Sequence, residues 1–306
     1  MEVKLLKSAR YVPRYLPLPL LQAPPAQRPP RFYVPTPLQG VAAGALLRLP
    51  PDEARHAAKT LRLRAGDAVE LCDGRGFTLL AELGAVDKTG AVVVAAAAPV
   101  KVERAGWQWE VACACGSLKG GRSDWLVEKC SELGAATFTP LLTERSPTIG
   151  SGGGDEGRAH SSKRASRRRG SGDDQGGDEQ DAAGGGGREG RWARVATAAM
   201  KQCLRPHALS LAAPASVGQL CAKIRAADAA LVGTAGAPPL AEVAAALPGG
   251  QHPRHGILCI GPEGDWTPEE LAALVAAGAR PVGLGDLRLR AETAAVALLS
   301  YVRMAV

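Results

Sequence analysis

The sequence predicts an α/β chain in two parts: a small β-rich unit over residues 31–105, then a mostly parallel sheet flanked by helices over 106–306. Two observations carry this. Before residue 100 the apolar runs are short and punctuated by turn residues. After Trp107 the rhythm becomes strand, helix, strand, the pattern that places parallel strands between helices.

The chain is 306 residues long, enough for one large domain or two ordinary ones. Hydrophobic residues make up 46% but aromatics only 4%, so Ala, Val and Leu carry most of the packing. No run reaches the roughly 18 to 20 apolar residues that span a bilayer, so no membrane partner is expected. The net charge of +7 and pI of about 9.2 favour a polyanionic partner, because Lys and Arg displace the counterions of phosphates. Seven dispersed cysteines with no C-x-x-C pair argue against a zinc site and for free thiols in a reducing compartment, most of them small core residues. No metal is expected.

Residues 1–30 read as a leader. Lys4, Lys7, Arg10, Arg14 and Arg28 face one acid, Glu2, and the proline-rich run Pro17 to Pro30 cannot hold a helix. A basic, acid-poor start is the composition of an organelle transit peptide, but serine is scarce and a merely disordered tail fits the composition as well. In the β-rich unit, 67–72 and 77–83 form a hairpin around Asp73-Gly-Arg-Gly76, with Ala91 to Val94 as a further strand and His56 to Leu63 as a helix.

The second unit opens with a strand over Trp109 to Cys115. A helix over Ser123 to Leu133 follows, with Gly134 at its stop, then a strand over Thr137 to Leu142. Residues 150–190 are Gly, Ser, Asp and Arg runs with few apolar residues, a disordered insertion by composition. Order resumes at Arg191: helix Trp192 to Leu204, strand Ala229 to Val232, helix Leu240 to Leu247, strand Ile257 to Ile260. Thr267-Pro-Glu-Glu270 is a capping box that opens a helix to Ala277. A strand over Pro281 to Leu284 and a helix over Glu292 to Met304 complete the pattern.

Ligands of such sheets sit beyond the carboxyl ends of strands. Two loops there stand out. In Gly261-Pro262-Glu263-Gly264, after a buried strand, glycines allow close backbone approach; a tight strand-to-helix connection needs the same residues. In the run Leu284 to Ala294, Arg288, Arg290 and Glu292 share one face if the backbone is extended, and Glu292 and Thr293 enter a first helical turn that favours anions. A capped helix with a surface ion pair is the plainer alternative. Other features read quietly. Gly116 to Gly121 lacks the G-K-[ST] ending of a phosphate loop. Arg164 to Arg169 is a solvated basic run. Trp107 and Trp109 pack at the domain junction, and His56 is structural.

Together and in order, these segments resemble the RsmE-type family of the SPOUT superfamily, which methylates N3 of a uridine in small-subunit ribosomal RNA. Ile260 to Gly264 and Leu284 to Ala294 resemble its I-G-P-E-G-G and L-G-x-x-x-L-R-T-E-T-A signatures. Lys119 with Glu128 to Gly134 resembles the family lysine and K-x-x-E-L-G helix. Pro140 with Thr143 to Ser146 resembles P…S-E-R-S, and Gln202, Cys203 and Arg205 resemble E-Q-C-x-R. Arg31 to Val34 with His56 to Asp67 resembles the PUA-like RNA-binding domain.

The resemblance implies a PUA-like β-barrel domain followed by an α/β trefoil-knot methyltransferase domain. It implies S-adenosyl-L-methionine held by Ile260, Gly261, Pro262, Glu263, Gly264, Leu284, Gly285, Leu289 and Thr293. Arg31, Lys119, Arg145 and Arg205 would contact RNA, and the enzyme would be a homodimer acting on small-subunit rRNA or the ribosomal subunit. Arg290 would stabilise the uracil N3 anion, with Glu292 positioning Arg290 or accepting the proton. The leader and a bacterial-type substrate point to an organelle, a chloroplast before a mitochondrion. Three departures, Asp265 for Gly, Ala291 for Thr and Lys201 for Glu, motivate the rival reading of a non-catalytic RNA-binding or ribosome assembly factor.

Overall fold

A computed structural model describes residues 28–87, 90–116, 118, 121–148, 187–247 and 252–305. The leader up to residue 27 and most of the 150–190 stretch lie outside the described residues, as does Lys119.

Turn residues 73–76 close the first hairpin: β3 (Ala68–Cys72) pairs antiparallel with β4 (Phe77–Asp87). Around it stand β1 (Arg31–Tyr33), β2 (Leu46–Leu49), β5 (Gly90–Ala95) and β6 (Val100–Lys101), in the order β1-β3-β4-β5-β2 with β6 on β4. Phe32, Leu71, Leu79 and Val93 fill its core. The helix expected over 56–63 begins earlier, as α1 (Pro51–Arg55), and runs into a π-helical turn, His56–Thr60. Pro51 presets the first-turn φ, and Asp52 and Glu53 suit the positive end of the helix dipole. His56 meets the Phe32 ring edge-on at 6.2 Å, a structural contact.

The second unit is a parallel sheet ordered β10-β8-β7-β12-β11-β13, with β9 (Ser210–Leu211) also on β8. Its strands are β7 (Trp107–Cys113), β8 (Thr137–Leu142), β10 (Ala215–Ser216), β11 (Ala229–Gly233), β12 (Arg254–Ile260) and β13 (Arg280–Val282). Among the described residues six helices serve it: α2 (Arg122–Glu132), α3 (Arg188–Gln202), α4 (Val217–Ala226), α5 (Leu240–Ala245), α6 (Pro268–Ala276) and α7 (Ala291–Ala305). Side chains alternate across the central strands. Val111, Leu258 and Ile260 pack with α2, α3, α5 and α7, whereas Ala112, Ile257 and Cys259 pack with α4 and α6. Burial on both faces explains why these strands read as unbroken apolar runs. Six of the seven cysteines are buried and all are free, as expected.

Three expectations need correcting. The first strand starts at Trp107, not Trp109. Trp107 and Trp109 stack on each other at 4.8 Å, and Trp109 lies over Gly256, where an added Cβ would sit 2.2 Å from the ring. Helix α3 starts at Arg188, inside the stretch expected to be disordered. Asp124 of α2 holds its start: Trp192 Nε1 donates to Asp124 at 3.1 Å and Arg191 pairs with the same carboxylate, while within the helix Arg188 lies over the Trp192 ring at 5.6 Å. Helix α4 was not foreseen, although Ser216 and Gln219 form a complete capping box.

Charge and backbone together bind the two units. Arg31 pairs with Glu70 at 2.6 Å, their side chains 5% and 3% exposed, and donates to the Arg205 carbonyl at 3.2 Å. Arg205 in turn donates to the carbonyls of Ser131 and Ala135, and burial pulls its pKa down to about 10. Lys201 pairs with Glu53 across the same junction at 2.5 Å, and backbone bonds join Gly76 to Pro206 and Ala208 to Gly74. Arg31 and Arg205, expected at an RNA surface, are therefore junction residues: each guanidinium is spent on buried acceptors.

Candidate active site

The sheet order aligns the carboxyl ends of β11, β12 and β13, and each strand runs into a loop on the same side. Those loops enclose a cavity of about 690 Å³, within the range of roughly 300–1,000 Å³ usual for small-ligand sites. Gly233 to Gly236 form one wall, Ile260 to Glu263 with Asp265 a second, and Leu284 to Leu289 a third; Ala291, Ala294 and Leu298 of α7 close the floor. The two motifs singled out in the sequence thus meet, although residues 265–283 separate them.

Of the expected cofactor residues, Ile260, Gly261, Pro262, Glu263, Leu284, Gly285 and Leu289 line the cavity. Gly264 and Thr293 are exposed and lie off its lining. The Gly233-Thr-Ala-Gly236 loop was missed; a glycine-flanked turn directly after an apolar strand was the available signal. Gly236 and Gly285 have φ of +73° and +98°, and both face open space where a side chain would project. They let the backbone line the cavity bare.

Arginines brace the middle loop. Arg145, expected on RNA, is exposed and donates to the Gly264 carbonyl, and Arg288 donates to the carbonyl of Glu263 at 2.5 Å. Asp265 holds the glycine-like φ of +66°, its Oδ1 accepting from the Trp266 backbone N–H at 2.8 Å. The aspartate therefore takes the conformation that glycine would take in this position.

Arg290 is exposed between the cavity-lining Leu289 and Ala291, and its carbonyl accepts the first hydrogen bond of α7, from the Ala294 N–H at 2.8 Å. Glu292 does not share its face. The helix begins at Ala291, so the extended alternation ends there, and Glu292 turns inward until its side chain is 7% exposed. Its partner is Arg122 at 3.2 Å, not Arg290. The strand-end cysteines are poor nucleophiles: burial raises the Cys113 thiol well above its usual range and Cys115 to about 11. Among the described residues no cluster of His, Cys, Asp and Glu could hold a metal ion, and no helix is long and apolar enough to cross a membrane.

A family model described as the RNA methyltransferase domain matches residues 106–158 and 181–303, more than half of the chain. The chain belongs to this RNA methyltransferase family. A companion model, the RNA methyltransferase PUA domain, matches 49–95, within the β-rich unit. The resemblance read from the motifs is thus borne out for both parts. Ribosomal RNA small subunit methyltransferase E of Synechocystis is 27% identical over 260 residues, covering 84% of this chain and 73% of its own. The Bacillus subtilis protein of the same name is 24% identical over 285 residues, covering 89% and 95%. The fold is shared with ribosomal RNA small subunit methyltransferase E of Neisseria gonorrhoeae, solved bound to S-adenosyl methionine. Its TM-score is 0.67 at 22% identity, covering 89% of this chain and 96% of that one.

Proposed function

We propose that the chain transfers a methyl group from S-adenosyl-L-methionine to N3 of a uridine in organellar small-subunit rRNA. The observation that carries the reading is the cavity, where both signature loops meet at the carboxyl ends of three parallel strands. Its glycine-rich walls and its volume suit a bent nucleoside cofactor, and Glu263 and Asp265 offer carboxylates to a cationic ligand. S-adenosyl-L-methionine supplies the methyl group when bound.

The residues of the chain do the rest. Uracil N3 is poorly nucleophilic until it loses its proton. Arg290, exposed beside the cavity, is the cation for the resulting anion and its flanking oxygens. Glu292, buried against Arg122, sets the head of α7 from which Arg290 projects. In this reading the PUA-like unit grips the RNA, the segment after β13 threads a trefoil knot, and the enzyme works as a homodimer. Residues 1–30 are the organelle address, for a chloroplast before a mitochondrion.

The three departures from the family pattern are accommodated: Lys201 is paired with Glu53, Ala291 packs in the core and Asp265 takes a glycine conformation. None of them favours a non-catalytic factor. Two experiments test the reading. Arg290→Ala should lower transfer at least about 100-fold, the scale of losing one charge stabiliser, with an unchanged melting temperature. Small-subunit rRNA from cells lacking the protein should lose one 3-methyluridine by mass spectrometry. An unaltered modification profile would refute the function.

A further inference from the structure

Arg122 opens α2, on a different segment from either signature loop, yet it reaches a carboxylate on each. Its Nη1 lies 3.2 Å from Glu292 Oε1 and 3.7 Å from Glu263 Oε1. Glu263 lines the cavity; Glu292 sits in the first turn of α7, two residues after Arg290. Both carboxylates therefore draw on one nitrogen, with the shorter contact to the buried one.

Glu292 has the stronger need. Its Oε2 is buried without a hydrogen-bond partner, so the pairing of this carboxylate falls to Oε1 and Arg122. Glu263 is more exposed and faces the space where a ligand would lie.

We propose that Arg122 is a positioning residue that couples the filling of the cavity to the setting of α7. A ligand cation that engages Glu263 takes over part of its charge and releases Arg122 to Glu292. The tighter Arg122–Glu292 pair then fixes the first turn of α7, and with it the base-facing Arg290. By the same linkage, whatever locks Glu292 onto Arg122 frees Glu263 for the ligand. The direction of the coupling rests on the cofactor reading above, because a sulfonium and an ammonium supply the cation.

The test is calorimetric binding of S-adenosylmethionine to the full chain, which needs no turnover. Glu263→Gln, Glu292→Gln and the double variant are measured in the wild-type background and again with Arg122→Met. Coupling predicts that the double variant departs from the product of the single effects by about threefold or more in wild type. With Arg122→Met the effects should become multiplicative. Arg122→Lys, which keeps one cationic nitrogen for both carboxylates, should restore the melting temperature and the coupling that Arg122→Met removes. Multiplicative effects in wild type, or coupling that survives Arg122→Met, would overturn the inference and leave the cofactor reading standing. Absence of any saturable binding to wild type would overturn both.

Discussion

Replacing Arg31 by methionine would leave Glu70 buried without its cation. The pair is 2.6 Å apart and nearly sealed from water, and Glu70 Oε1 already lacks a hydrogen-bond partner. Breaking one side of such a pair costs about 3–5 kcal/mol, because the remaining charge stays desolvated. Losing the bond from Arg31 to the Arg205 carbonyl adds about 1 kcal/mol. At about 2–4 °C per kcal/mol for a unit of this size, the melting temperature should fall by roughly 8–24 °C. The assay is urea and thermal unfolding followed by tryptophan fluorescence, since Trp107 and Trp109 are buried. The double variant Arg31→Met/Glu70→Leu removes both charges and should regain most of the loss. A single variant that loses under about 1 kcal/mol, or a double variant no more stable than the single, would refute the reasoning. Folded Arg31→Met should bind RNA as wild type does, because this guanidinium does not reach the surface.

Two further outcomes follow from the core. Burial would raise the Glu110 carboxyl, but hydrogen bonds from His255, Lys223 and Thr139 outweigh it and hold its pKa at about 2, below the ordinary 4.5. Its contribution to stability is therefore complete above the ordinary value and disappears as pH falls from 4.5 through about 2. Glu110→Gln should be less stable at neutral pH and lose less on acidification; parallel urea-midpoint curves between pH 5 and 2 would contradict this. Gly256→Ala would push a methyl group against Trp109, at 2.2 Å in the present geometry. It should cost about 1–3 kcal/mol, read as a lowered urea midpoint, and wild-type stability would show that the ring can move aside.

What the sequence disclosed follows from how local each signal is. The hairpin at 73–76, the strand Thr137–Leu142 and the capping box at Thr267 depend on neighbouring residues, and the structure has them all. The two glycine-bearing loops were also legible, because strand ends in parallel sheets are where ligands lie. The partners of charges were not. Nothing near Arg31 in sequence reveals Glu70, and nothing near Glu292 reveals Arg122, since those pairs span 39 and 170 positions. Hence two arginines were expected on RNA that serve the junction, and Glu292 was expected beside Arg290 when helix onset turns it inward. The start of α3 was hidden for the same reason: its first turn is held by Asp124, an element away.

All the walls of the cavity are drawn from residues 233–298. During translation the β-rich unit and the strands β7 and β8 emerge while no pocket yet exists. The floor of the site arrives last: α7 supplies it and also buries Leu298, Leu299 and Val302 in the core, so a chain truncated before that helix would lose its ligand site and open the core behind it together.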